Sequence, residues 1–78
     1  MKVKIYSTSA CFYCRLAKQF FDRNNIRYEE IDVGTDKKAA EKMIEKSGQV
    51  SVPVIEIGRK VIVGFDKPKI MEALKMKC

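Results

Sequence analysis

Cys11 and Cys14 are the residues whose type and spacing point most directly to chemistry. They enclose Phe12 and Tyr13, after a short apolar segment and at the start of an amphipathic one. A separation of three residues brings two side chains onto one face of a helical turn, close enough to form a disulfide. The pair therefore predicts chemistry that cycles between a dithiol and a disulfide.

The two cysteines are predicted to have different roles. Unpaired backbone N–H groups at a helix start, with Arg15 and Lys18 nearby, would stabilise a thiolate at Cys11, and the thiolate is the species that attacks disulfides. Cys14 lies one turn deeper, which suits a resolving thiol that breaks the mixed disulfide and releases the product. Cys78 ends the chain, and we expect an exposed tail residue without a catalytic part.

A zinc site and a pair of inert core thiols are the alternatives for the same cysteines. The chain has three cysteines and no histidine, which excludes Cys/His zinc fingers and histidine-based nucleophilic catalysis. Cys78 and carboxylates would complete a zinc site only in an awkward arrangement, so we expect no metal. The position of the pair at a helix start, rather than within a buried stripe, argues against inert core thiols.

Length and charge narrow the class of protein. The 78 residues fit one domain spanning 1–78. The net charge of +6 is scattered along the chain with acidic residues nearby, which favours a solvated surface over a nucleic-acid interface. No apolar run is long enough to cross a bilayer, and residues 1–6 are too short a segment for a signal peptide. We therefore expect a cytoplasmic monomer that binds neither nucleic acid nor a membrane.

Hydrophobic periodicity predicts the elements that position the cysteines. Apolar and β-branched runs predict strands at 2–6, 26–33, 50–57 and 60–63. Apolar spacings of three and four predict three helices, with the inward residues Tyr13, Leu16, Ala17, Phe20 and Phe21 in the first, Ala40, Met43 and Ile44 in the second, and Ile70, Ala73 and Leu74 in the third. The order βαβαββα, closed by a tight hairpin at Gly58-Arg59, predicts an α/β protein with a mixed four-stranded sheet flanked by three helices. This is the order of the thioredoxin fold.

Ser51-Val52-Pro53 is a second candidate for function. Proline lacks the N–H that a strand ladder requires, so this part of the strand has an open position. A cis bond between Val52 and Pro53 would turn the Val52 backbone toward a ligand, where it can pair with an extended peptide. The residues alone leave the isomer open, and a proline on an edge strand is the simpler alternative.

Gly64-Phe65-Asp66 is a third candidate. Glycine permits close approach of the backbone, and the N–H groups at the start of the last helix can bind a carboxylate. The alternative is that Asp66 serves only as the N-cap of that helix, and the two roles are compatible.

Taken together, the segments 5–8, 11–14, 51–53 and 63–66 resemble a glutaredoxin over essentially the whole chain. The similarity is greatest to short bacterial or archaeal glutaredoxin-like proteins. The resemblance implies that Cys11 is the nucleophile and that Cys14 resolves protein disulfides. It also implies disulfide-containing proteins as substrates, no tightly bound cofactor, and glutathione as a candidate reductant.

The resemblance further implies a groove for glutathione. Tyr13 would line it, Pro53 would follow a cis bond, and the Val52 backbone would pair with the glutathione cysteine. Gly64, Phe65 and Asp66 would hold the γ-glutamyl end.

The chain departs from the usual glutaredoxin pattern at three places. Phe12 stands where proline is usual. The replacement frees a backbone N–H beside the active thiol and should alter the reduction potential of the cysteine pair. In some glutaredoxins, replacing this proline permits a bridging iron–sulfur cluster. Thr8 stands where many members have a lysine that meets a glutathione carboxylate, and Val63-Gly64 stands for the usual double glycine. The ending of residues 64–68 is also similar to redoxins that take electrons from thioredoxin reductase and supply ribonucleotide reductase.

Overall fold

Four strands and three helices follow one another in the predicted order. A computed structural model of the chain describes residues 2–75, so the prediction for Cys78 lies outside the described residues. The elements are β1 (Val3–Ser7), α1 (Phe12–Arg23), β2 (Glu29–Asp32), α2 (Lys37–Ser47), β3 (Val54–Ile57), β4 (Lys60–Val63) and α3 (Lys67–Ala73). The described helices include none that is both long and apolar enough to span a bilayer.

The sheet has the strand order β2-β1-β3-β4. β1 runs parallel to β2 and antiparallel to β3, which in turn is antiparallel to β4. The carboxyl ends of β1, β2 and β4 therefore meet the start of β3 at one edge of the sheet, and the register places Val54 between Tyr6 and Val63 there. The mixed sheet and the element order confirm the thioredoxin fold.

Alternation along the central strands separates two apolar layers. The larger layer lies between the sheet and the helices α1 and α3, and its buried residues are Val3, Ile5, Ala17, Phe21, Ile55, Ile57, Ile62, Ile70 and Ala73. The smaller layer lies under α2 on the opposite face, with Tyr6, Met43 and Val54 buried. The first helix is thus held against the sheet along its length, which fixes the position of the cysteines at its start.

Two strands are shorter than predicted. β2 begins at Glu29 rather than at residue 26, because it is an edge strand whose pairing with β1 starts at Lys4 and ends at Ser7. β3 begins at Val54 rather than at residue 50, directly after Pro53, which cannot donate to the ladder. Val50 is 71% exposed as a result.

The predicted inward faces of two helices also need correction. Tyr13 was expected in the buried stripe of α1, but its side chain is 60% exposed, and Cys14, Ala17 and Phe21 form the buried face instead. In α2 the buried residues are Ala39 and Met43, whereas Ile44 is 41% exposed. Both helices are rotated by a fraction of a turn from the apolar stripe, because the position of the sheet decides which residues are covered.

Candidate redox site

Cys11 is the N-cap residue of α1. Its backbone is extended, with φ −91° and ψ 114°, and its N–H donates to the Thr8 carbonyl at 3.4 Å across the loop that follows β1. The backbone N–H of Cys14 donates to Cys11 Sγ at an N···S distance of 3.1 Å. A sulfur atom thus takes the place of the side-chain oxygen that usually caps a helix and accepts from one of its unpaired N–H groups.

The Cys11 sulfur lies at a helix N-terminus. The sulfur lies at the positive end of a 12-residue helix whose first turn, residues 12–15, carries no acidic side chain. Cys11 is only partly buried, so the residue remains accessible to a partner. An accessible sulfur that accepts a backbone N–H at a helix start is the arrangement that a nucleophilic cysteine needs.

Cys14 has the opposite environment. Its side chain is completely buried, and both thiols of the pair are free. Burial, followed by the contact with Cys11, raises the pKa of Cys14 from 9.0 to about 12, against a smaller lowering by the Thr8 backbone and the Lys18 ammonium. Cys14 is therefore protonated at neutral pH, and substrates cannot reach it directly.

We expect folding stability to fall as the pH rises from about 9 toward 12, and Cys14→Ala to remove part of this fall. In this range the unfolded chain releases the Cys14 proton while the folded chain retains it, so rising pH favours the unfolded state. The full effect is on the order of a few kcal/mol. Urea unfolding of both proteins from about pH 8 to about pH 10.5 measures the part of the effect that falls in this range, and the difference between the two pH dependences gives the contribution of Cys14. Parallel pH dependences in the two proteins would contradict the assignment.

Pro53 and Gly64 lie at the same edge of the sheet as the cysteines. The bond between Val52 and Pro53 is cis, as the resemblance implied. Pro53 immediately precedes β3, where the register places Val54 opposite Tyr6 of β1. The Gly64 N–H donates to the Pro53 carbonyl at 2.8 Å, and Gly64 has φ +80°, a conformation that favours glycine.

The other predicted groove residues differ in what they expose. Asp66 caps α3 through its Oδ1, which accepts from the Lys69 N–H at 3.3 Å, so its role as N-cap is confirmed and its role in binding stays a prediction. The partly buried Phe65 ring packs against Phe20, with ring centroids 6.1 Å apart. Tyr13 projects to solvent beside Phe12, the two rings forming an edge-to-face pair at 5.5 Å.

A polar cluster beside Cys14 was only partly anticipated. Lys18 was expected near the cysteines, and its Nζ forms an ion pair with Glu30 Oε2 at 2.7 Å. The buried Ser7 donates to the same oxygen at 3.0 Å. The spacing of four between Cys14 and Lys18 was visible in the sequence. The contribution of Glu30 and Ser7 depends on the parallel pairing of β1 with β2, which places Ile5 opposite Glu30.

Within residues 2–75, no three His, Cys, Asp or Glu side chains group together in a way that could hold a metal ion.

Comparison with known proteins agrees with the fold. The glutaredoxin family model matches residues 3–62. The chain is 41% identical over 68 residues to a glutaredoxin-like 8.6 kDa protein of the rubredoxin operon of Clostridium pasteurianum, covering 87% of this chain and 91% of that protein.

Solved structures extend the agreement to three dimensions. The glutaredoxin of Archaeoglobus fulgidus is 30% identical with a TM-score of 0.87, covering 95% of this chain and 86% of that one. The glutaredoxin-like NrdH-redoxin of Escherichia coli, described by its thioredoxin-like activity profile, is 27% identical with a TM-score of 0.82, covering 95% of both chains. Because the sequence match runs from β1 to β4 and the fold agrees along nearly the whole chain, the protein belongs to the glutaredoxin family of thiol–disulfide oxidoreductases.

Proposed function

We propose that the protein reduces protein disulfides and glutathione mixed disulfides, with Cys11 as nucleophile and Cys14 as resolving thiol. The observation that carries this proposal is the asymmetry of the pair. Cys11 is accessible, whereas Cys14 is fully buried. The two residues are joined by one hydrogen bond, in which the backbone N–H of Cys14 donates to the Cys11 sulfur. A single exposed thiol with a sequestered partner suits an ordered two-step exchange.

In the first step the Cys11 thiolate attacks one sulfur of the substrate disulfide. A bond forms between Cys11 and that sulfur, and the other substrate sulfur leaves as a thiolate that takes a proton from water. In the second step Cys14 gives up its proton to water and attacks Cys11 Sγ, so the second substrate sulfur leaves and is protonated in turn. The substrate gains two electrons, and the protein is left with a Cys11–Cys14 disulfide.

We assign the substrate groove to the edge of the sheet beside Cys11. Its proposed members are Tyr13, Val52, Pro53, Gly64, Phe65 and Asp66. Within residues 2–75, the Val52 backbone forms no hydrogen bond, which leaves it free to pair with a peptide such as glutathione. Gly64 supports the same proposal, because its backbone can be approached closely. Glutathione is our proposed reductant, and the reducing cytoplasm is our proposed location.

Reduction by thioredoxin reductase is the second candidate. Val63 stands where the family resemblance leads us to expect glycine, and its side chain is 47% exposed at the groove. The structural similarity to NrdH-redoxin, with its thioredoxin-like activity profile, favours the same alternative. On this proposal the substrate would be a reductase, such as ribonucleotide reductase, with a disulfide to be renewed in each cycle.

Coupled assays with the two donors test these proposals. The protein is oxidised and then reduced either by glutathione with its reductase or by thioredoxin reductase, both followed by consumption of NADPH. We expect turnover with glutathione. Dithiothreitol as donor is the control, since it supplies electrons without needing the groove. Rapid reduction by thioredoxin reductase with none by glutathione would contradict glutathione as the reductant. If the protein reduces no disulfide substrate even with dithiothreitol as donor, the proposed disulfide reductase activity itself is contradicted.

A further inference from the structure

The ion pair between Lys18 and Glu30 is placed where it can act on the buried thiol. Lys18 follows Cys14 by four residues on α1, so both side chains project from the same face of the helix. Its Nζ lies 2.7 Å from Glu30 Oε2, and the Ser7 hydroxyl donates to that oxygen at 3.0 Å. Ser7 is only 1% exposed and is the last residue of β1, so the carboxylate is tied to the sheet directly beneath the active-site loop.

Stability does not account for this arrangement. The Lys18 and Glu30 side chains are 29% and 45% exposed, and ion pairs so open to water contribute little to folding. The chain contains a matched example in Lys46 and Glu56, which join α2 to β3 at 3.0 Å on the opposite face of the sheet. The pair formed by Lys18 differs from it in sharing its acceptor with a buried hydroxyl and in lying beside a redox cysteine.

We propose that Lys18, held in place by Glu30 and Ser7, is a positioning residue that assists the attack of Cys14 on the mixed disulfide. The inference rests on the proposed roles of the two cysteines and concerns only the second step. Its ammonium stabilises the negative charge that develops on the Cys14 sulfur as that sulfur loses its proton and bonds to Cys11. The bond between Cys11 and the substrate then breaks, and the departing substrate sulfur takes up the electron pair and a proton.

The groups that surround Cys14 explain why this step needs a cation. The Cys11 sulfur and the Thr8 backbone, both in the active-site loop, act on the Cys14 thiol. Lys18, on the same helix as Cys14, acts on it through its charge, and Glu30 of β2 forms an ion pair with Lys18. Burial is the main cause that raises the pKa of Cys14, and the Lys18 charge acts against it. The hydrogen bond to Glu30 raises the pKa of Lys18 itself, so the ammonium keeps its charge through the neutral range.

A neutral chromophoric disulfide separates the two steps. In a Cys78→Ser background, one equivalent of dithiodipyridine reacts with Cys11 and releases a first thiopyridone, and attack by Cys14 releases the second. Stopped-flow absorbance gives both rates in the Cys78→Ser background alone and with Lys18→Met, Lys18→Arg or Lys46→Met added to it. The uncharged reagent removes electrostatic attraction of the probe, and Lys46→Met matches the change in net charge and the loss of a helix–strand ion pair.

We expect Lys18→Met to slow the second release by about three- to tenfold, because the positive charge of Lys18 acts on the ionising Cys14 thiol. The first release should change by no more than about twofold, because the Cys11 sulfur accepts the Cys14 N–H whereas the Lys18 ammonium is held by Glu30, so Lys18 does not have the role at Cys11 that the sequence suggested. Lys18→Arg should retain most of the second rate, and Lys46→Met all of it. A second release in Lys18→Met as fast as in Lys46→Met would overturn the inference, and so would Lys18→Arg as slow as Lys18→Met. If the unchanged background releases no first thiopyridone, the proposed function itself fails, and that result cannot be mistaken for the others.

Discussion

Cys11→Ser is expected to lower disulfide reductase activity at least about a thousandfold, because removal of the attacking atom leaves no covalent intermediate. A serine hydroxyl does not ionise near neutral pH and does not exchange with disulfides. Serine is among the best N-cap residues, so its oxygen can accept the Cys14 N–H that now bonds to sulfur at 3.1 Å. The variant should therefore fold normally, and its loss of activity can be attributed to chemistry.

Reduction of insulin with dithiothreitol as donor measures this effect. Cys78→Ser is the control for the loss of a thiol as such, and it should keep full activity. Thermal unfolding of Cys11→Ser should match the wild type closely. If Cys11→Ser kept more than about a tenth of the activity, the nucleophile would have to be sought elsewhere in the chain.

Cys14→Ser is expected to accumulate a mixed disulfide at Cys11 and to lose about a hundredfold in turnover on protein disulfides. The first step needs only Cys11, so it should proceed. In the second step the variant lacks the thiol one helical turn away, so a thiol from solution must break the mixed disulfide. This reaction is slower, because an intramolecular thiol has a much higher effective concentration than one in solution. Mass spectrometry of the protein after reaction with a disulfide-bonded peptide should show the adduct, and dithiothreitol should reverse it.

Cys14→Ala is the matched control for polarity at this position. The Cys14 side chain is completely buried, so serine introduces a hydroxyl into the interior whereas alanine does not. Both variants should trap the adduct if the missing thiol is the cause. Equal and mild losses of activity in the Cys11 and Cys14 variants would contradict the division into nucleophile and resolving thiol.

Groove binding, a single domain and a monomeric state stay predictions. The family resemblance assigned Tyr13 to the groove, whereas the hydrophobic periodicity assigned it to the buried stripe of α1. The structure leaves that ring 60% exposed. Because the Tyr13 ring is exposed at the first turn of α1, it is available to a ligand. The proposal that Tyr13 lines the groove is therefore compatible with this correction.

Local patterns in the sequence determined the order of the elements, the position of the cysteine pair and the helix caps. Asp66 caps α3 as predicted, Asp36 caps α2 in the same way, and Gly58-Arg59 closes the hairpin between β3 and β4. Each of these features depends on residues a few positions apart, through hydrogen bonds and backbone preferences that act within one or two turns. Such signals are complete in the sequence itself.

Only the tertiary structure decided where the strands end, which helix faces are covered and which distant groups meet. β2 stops with its partner β1, and Ile44 is exposed because the sheet covers a neighbouring face of α2. The link from Lys18 through Glu30 to Ser7 joins three elements far apart in sequence. Periodicity cannot reveal it, because such contacts are set by strand register and by how each helix is rotated on the sheet.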